Sequence, residues 1–159
     1  MLLFALLSLA SAFNLLEQNY AGSGCTGTPF QLAVITSPAP TCPYPGRMCL
    51  PSPTNSSNSL SVECTTYNGI NYPFTSGYAT QFTFQAAGCT GNTTVANAFL
   101  ANQCISPGPN QHMLWNCNAG TVTNCVGTHS CTDGACTTGP LPSGCISSGP
   151  YSVLVKCVK

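Results

Sequence analysis

Proton-transfer chemistry has few residues to draw on in this chain. The acids are Glu17, Glu63 and Asp133, and the imidazoles are His112 and His129. Glycoside hydrolysis needs two carboxyl groups held a few ångströms apart. No Asp, Glu, Lys or Arg occurs between Cys64 and Thr132, so such a pair would have to be assembled from distant segments. Strand parity turns Glu63 away from its apolar neighbours, where a solvated surface acid is the expected role. No Gly-x-Ser-x-Gly is present to form a nucleophile elbow. The residue inventory therefore points to a non-catalytic protein.

Cysteine is the other chemically active type, with twelve in 159 residues. Cys125, His129, Cys131 and Cys136 crowd together as metal ligands do, but thiolate ligands need a reducing compartment. The amino end argues against one. Leu2 to Leu9 is an apolar run closed by Ala10-Ser11-Ala12, an A-x-A cleavage signal, so residues 1–12 read as a signal peptide and the mature chain starts near Phe13. Every cysteine lies downstream of it, and no Cys-x-x-Cys occurs. An even count in an exported chain reads as a disulfide framework over Cys25, Cys42, Cys49, Cys64, Cys89, Cys104, Cys117, Cys125, Cys131, Cys136, Cys145 and Cys157. Oxidised cysteines neither attack nor ligate. No metal or cofactor is expected, and Asp133-Gly134 reduces to turn chemistry.

Binding chemistry would rest on aromatic rings. Sugar sites stack a pyranose on an exposed ring and surround it with amides; Tyr44, Tyr67, Tyr72 and Trp115 stand among 13 Asn and 6 Gln. Trp115 shares strand parity with Met113 and Cys117, which assigns it to the core. Tyr67 and Tyr72 flank Asn68-Gly69, a dipeptide that favours a type I′ hairpin turn. They are the candidate glycan-contact pair, and cross-strand packing accounts for them equally well.

Charge excludes further classes. Charged residues make up 4% of the chain and the net charge is zero, which leaves no basic surface for a phosphate backbone. A hydrophobic fraction of 43% is too high for a long disordered chain. No apolar run reaches the ~18 residues of a bilayer span. Solubility falls to 54 Ser, Thr, Asn and Gln residues and to sugars. Asn55-Ser56-Ser57 and Asn92-Thr93-Thr94 are N-glycosylation acceptors, and Ser37-Pro38-Ala39-Pro40 and Pro51-Ser52-Pro53-Thr54 resemble O-glycosylated segments.

The elements that carry these residues read as strands. Leu60, Val62 and Cys64 alternate, as do Phe30, Leu32 and Val34, then Tyr78, Thr80, Phe82 and Phe84, then Met113, Trp115 and Cys117, then Tyr151, Val153, Val155 and Cys157. Pro73 places its strand at an edge. Thr93–Asn102 has some helical composition, but its alignment with Gln31–Thr41 favours a strand or irregular loop.

Cysteine landmarks also recur in order. Openings are Gly24-Cys25-Thr26-Gly27, Gly88-Cys89-Thr90-Gly91 and Ser130-Cys131-Thr132-Asp133-Gly134; middles begin at Cys49, Cys104 and Cys145; closings are Cys64, Cys117 and Cys157. They define three degenerate repeats over about 13–72, 73–120 and 121–159 of one 13–159 domain. The expected fold is a mostly β, disulfide-rich sandwich, with a threefold trefoil-like barrel as the alternative. Bridges within units are expected at Cys49–Cys64, Cys104–Cys117 and Cys145–Cys157.

Composition resembles that of small secreted cysteine-rich proteins of cell surfaces and matrices. The expected function is a secreted, glycosylated, self-associating structural subunit of a matrix, coat, wall or fibre. Its expected partners are other copies, or extracellular glycans and proteins. A lectin-like module is the alternative.

Overall fold

The computed structural model of the chain describes residues 13–127, 130–132 and 135–158; residues 1–12, His129 and Asp133 lie outside the described residues. Among the described residues 54% lie in strands and none in a helix, so the fold is mostly β, as expected. The strands are β1 (Phe13–Ala21), β2 (Gln31–Ser37), β3 (Met48–Pro51), β4 (Asn58–Thr65), β5 (Tyr78–Phe84), β6 (Thr93–Leu100), β7 (Cys104–Gly108), β8 (Gln111–Asn116), β9 (Thr121–Val126), β10 (Cys136–Pro140), β11 (Cys145–Ser148) and β12 (Tyr151–Cys157). They form an eight-stranded antiparallel sheet, β11-β12-β5-β6-β2-β1-β4-β3, and a four-stranded one, β10-β9-β8-β7. Both are open sheets, in a sandwich-like arrangement rather than a closed threefold barrel.

The large sheet is an internal duplication. Shifting β1 and β2 by 64 residues (Cys25 to Cys89), β3 by 96 (Cys49 to Cys145) and β4 by 93 (Ser59 to Ser152) reproduces the pairing of β5, β6, β11 and β12. Leu16↔Val34 becomes Thr80↔Ala98, Tyr20↔Ser59 becomes Phe84↔Ser152, and Cys49↔Ser61 becomes Cys145↔Leu154. The two halves meet at β2 and β6, where the pseudo-dyad passes through the Ala33↔Asn97 pair.

Each half closes with the same device. The hairpin tip Gly24-Cys25-Thr26-Gly27 has φ of 91° at Gly24, 51° at Cys25 and 84° at Gly27; Gly88, Cys89 and Gly91 repeat it at 76°, 52° and 81°. Left-handed backbone at both flanking positions requires glycine there. The turn aims the cysteine amide at a buried serine of the adjacent hairpin: Cys25 donates to Ser59 Oγ at 2.9 Å, and Cys89 to Ser152 Oγ at 2.8 Å. The cysteine then bonds to the edge strand beyond, as Cys25–Cys49 and Cys89–Cys145.

Two apolar clusters hold the layers together. On one face of the large sheet Leu16, Val34, Ala96 and Phe82 lie side by side, with Phe84 almost wholly enclosed. The 66–77 connection covers that face through Tyr72 and Phe74. On the opposite face the small sheet docks Ile105 and Trp115 against Ala79 and Phe99. Trp115 stacks on Phe99 with centroids 4.9 Å apart and planes 5° from parallel, as its parity with Met113 and Cys117 predicts. Thr93–Leu100 is a strand.

Several expectations need correction. All twelve cysteines are bonded, but none of the expected pairs Cys49–Cys64, Cys104–Cys117 and Cys145–Cys157 forms. The bridges are Cys25–Cys49, Cys42–Cys64, Cys89–Cys145, Cys104–Cys131, Cys117–Cys157 and Cys125–Cys136. The reason is parity. Cys49 sits opposite Ser61 and Cys145 opposite Leu154, so each points to the face away from Cys64 or Cys157. The repeat is twofold in the large sheet, and Cys104, Cys117 and Cys131 belong to the four-stranded insertion. The metal-like cluster resolves into disulfides at Cys125, Cys131 and Cys136, and no metal-binding group occurs among the described residues.

Asn68-Gly69 makes no β-hairpin, because β4 pairs with β1 and β3 while β5 pairs with β12 and β6. Pro73 accordingly lies in a connection, not in an edge strand. Gly69 serves closeness instead of positive φ. A Cβ there would stand 2.8 Å from Ala96 Cβ and 2.9 Å from Thr93 Oγ1.

Candidate functional site

The acids do not converge. Glu17 lies opposite Val62 and Glu63 opposite Leu16, so adjacent registers send the two carboxylates to opposite faces of one sheet. Glu63 is half-buried rather than freely solvated, because its face near β4 is covered: Ser59 and Ser61 beside it are enclosed. Arg47 lies across that face, donating to Tyr20 OH at 2.7 Å and Ser61 Oγ at 3.0 Å, with its guanidinium carbon 5.7 Å from the Tyr20 ring centre.

Glu17 lines a cleft of about 340 Å³ with Asn19, Gln31, Leu60, Pro107 and Gln111. Burial pushes its carboxyl above the ordinary glutamate range. A raised folded-state value means that ionisation opposes folding. Stability linked to this group is present at acid pH and is lost as pH rises through the folded value. Glu17→Gln is therefore expected to raise the melting temperature at pH 7, with the gain disappearing when both proteins are melted below the glutamate range.

Tyr67 and Tyr72 do come together, with ring centres 5.9 Å apart in edge-to-face contact. Tyr72 continues inward to Phe74 at 4.8 Å, and Phe74 to Phe82 at 6.2 Å. Burial, then the Glu63 carboxylate, hold the Tyr72 phenol above its usual range. The pair is thus the outer end of an aromatic chain rooted in the core. Only Tyr67, 48% exposed, offers a broad free surface for stacking.

The two sequons lie in connections. Asn55 is in the β3–β4 connection, half-buried, with Oδ1 accepting from the Ser57 amide at 3.0 Å. Asn92 follows the β5–β6 tip and is exposed.

The four sheet edges differ in a way that bears on association. An edge strand offers unpaired backbone groups to a neighbour, and proline blunts it by removing a donor. Edge strands β3, β7 and β10 contain Pro51, Pro107 and Pro140. The Ser52 amide donates inward to Asn58 O and the Leu141 amide inward to Gly120 O. Donors alternate between the two rims of a strand, so Pro51 and Pro140 sit where an outward donor would be. Only β11, Cys145-Ile146-Ser147-Ser148, has no proline; Ser147 takes the position of Pro51 in the duplicated register. Ile146 on this strand is 46% exposed and Tyr151 at its hairpin partner 50%.

Sequence reasoning missed this edge because its character depends on which strands end a sheet. No protein-family model, curated protein or solved structure matches the chain. Six disulfides are typical of extracellular proteins, and among the described residues no helix is long and apolar enough to cross a membrane.

Proposed function

We propose that this chain is a secreted, N-glycosylated structural protein that works by associating with copies of itself outside the cell, and that it is not an enzyme. The observation that carries this reading is the pairing of apolar sheet edges with a surface almost free of charge. Met48 and Leu50 on β3 and Ile146 on β11 are exposed at the two ends of the large sheet. The whole chain has three basic and three acidic residues. Little electrostatic repulsion keeps copies apart. Six bridges suit a subunit that must persist where no chaperone repairs it. Removal of residues 1–12 and sugars at Asn55 and Asn92 belong to the same reading.

The test is to express the full chain through a secretory pathway and follow it by sedimentation and intact mass. A species larger than the monomer, free of alkylatable thiol, starting near Phe13 and losing mass to an N-glycosidase is expected. A strict monomer that binds one defined glycan on an array would replace this reading with the lectin-like one.

A further inference from the structure

Resting on the self-associating reading, we infer that β11 pairs with β11 of a second copy, antiparallel about a twofold axis, to give a closed dimer with one continuous sheet. Four observations lead there. It is the one edge among the described strands that lacks proline. None of its residues is charged, and Lys156, the charge on neighbouring β12, lies beyond the β11 pairing. Ile146 on it is an exposed aliphatic side chain. The fourth is that β2 and β6 already join two equivalent four-stranded halves through antiparallel strands about a local dyad.

The register follows from which groups point outward. Ser148, Gly149, Pro150 and Tyr151 make a two-residue hairpin turn, with Ser148 opposite Tyr151. Such a turn makes its flanking pair a hydrogen-bonded one, so Ser148 and Ile146 bond inward while Cys145 and Ser147 present their N–H and C=O outward. Cys145 of each copy then faces Ser147 of the other, and the two pairs exchange four backbone hydrogen bonds. The dyad passes between the two Ile146 residues. They meet as a directly opposed, non-hydrogen-bonded pair, the closest side-chain spacing in an antiparallel ladder. Any other register loses one of these pairs. The contact is isologous, so it closes at two copies and leaves no further β11 edge.

Ser147→Pro is the decisive variant, because Pro51 occupies the equivalent position in β3 and shows that this backbone accepts proline. It deletes one outward donor from each copy, two of the four bonds, and should weaken dimerisation at least about tenfold. Ile146→Lys sets like charges face to face on the dyad and should do the same without touching the backbone.

Sedimentation velocity of the glycosylated protein across a wide dilution range reads all three proteins, with thermal melts to show that each is folded. A wild-type dimer, with folded monomers for both variants, is expected. If Ser147→Pro fails to fold, Ile146→Lys decides alone. Folded variants that keep the wild-type assembly would overturn the β11 contact and leave self-association standing. A monomeric wild-type protein would overturn both.

Discussion

Replacing Cys89 and Cys145 together by serine is expected to cost ~4 kcal/mol of folding stability, and replacing Cys25 and Cys49 ~3.5 kcal/mol, from loop closure over separations of 56 and 24 residues. The two bridges do the same task in the two halves of the large sheet, so local geometry does not distinguish them. Each anchors a hairpin tip over a buried serine, Ser59 or Ser152. The difference between the variants should therefore follow the loop lengths, with the 89–145 pair the more damaging. Urea unfolding of the two double variants measures it. A cost near zero for either pair would mean that the hydrogen bond to the serine and the surrounding packing already hold the tip in place.

Trp115→Ala is expected to destabilise by ~3–5 kcal/mol, the usual range for emptying a large aromatic site that cannot collapse. Trp115 is the point where the small sheet meets the large one: it stacks on Phe99 and packs with Ile105 and Ala79. Its loss should loosen β7 to β10 more than β1 to β6. Hydrogen exchange by residue is the measurement, with early loss of protection in β8 and β9 as the sign. Trp115→Phe keeps a ring opposite Phe99 and should recover much of the stability. Equal loss of protection across both sheets would show that they unfold as one unit.

Period-two alternation identified strands at Leu60–Cys64, Tyr78–Phe84, Met113–Cys117 and Tyr151–Cys157, because a sheet side chain's face depends only on local parity. The same locality explains the failures. Gly24-Cys25-Thr26-Gly27 and Gly88-Cys89-Thr90-Gly91 are structurally equivalent, as are Val62-Glu63-Cys64 and Val155-Lys156-Cys157. Cys131 imitates the opening motif while lying in the connection between β9 and β10, bonded to Cys104. Three similar words in a row read as three repeats. The sheet shows two, with an insertion between β6 and β11.

Disulfide partners were illegible for a related reason. Cys25 reaches Cys49 only because a whole hairpin tip crosses β4, a tertiary event with no short-range signature. Gly69 shows the converse: Asn68-Gly69 does turn the chain, with the Asn71 amide donating to Asn68 O at 3.1 Å, but in a connection whose close approach to Ala96 depends on the missing Cβ. The candidate edge was legible only in part. Prolines at 51, 107 and 140 are visible in the chain, but that each falls on an edge strand is a property of sheet order.

The duplication also makes this protein a natural experiment in chain insertion. In the first half, β2 connects to β3 through residues 38–47; in the second, the matching connection from β6 to β11 runs from 101 to 144 and carries an entire four-stranded sheet. The host strands on either side keep the same register in both halves. Lengthening a connection costs only logarithmically in closure entropy. The Pro38–Gly46 stretch is thus an acceptor port whose counterpart already holds a passenger. A foreign module of similar size spliced there would leave the surrounding strands paired as they are, with Cys42–Cys64 standing where Cys117–Cys157 tethers the existing one.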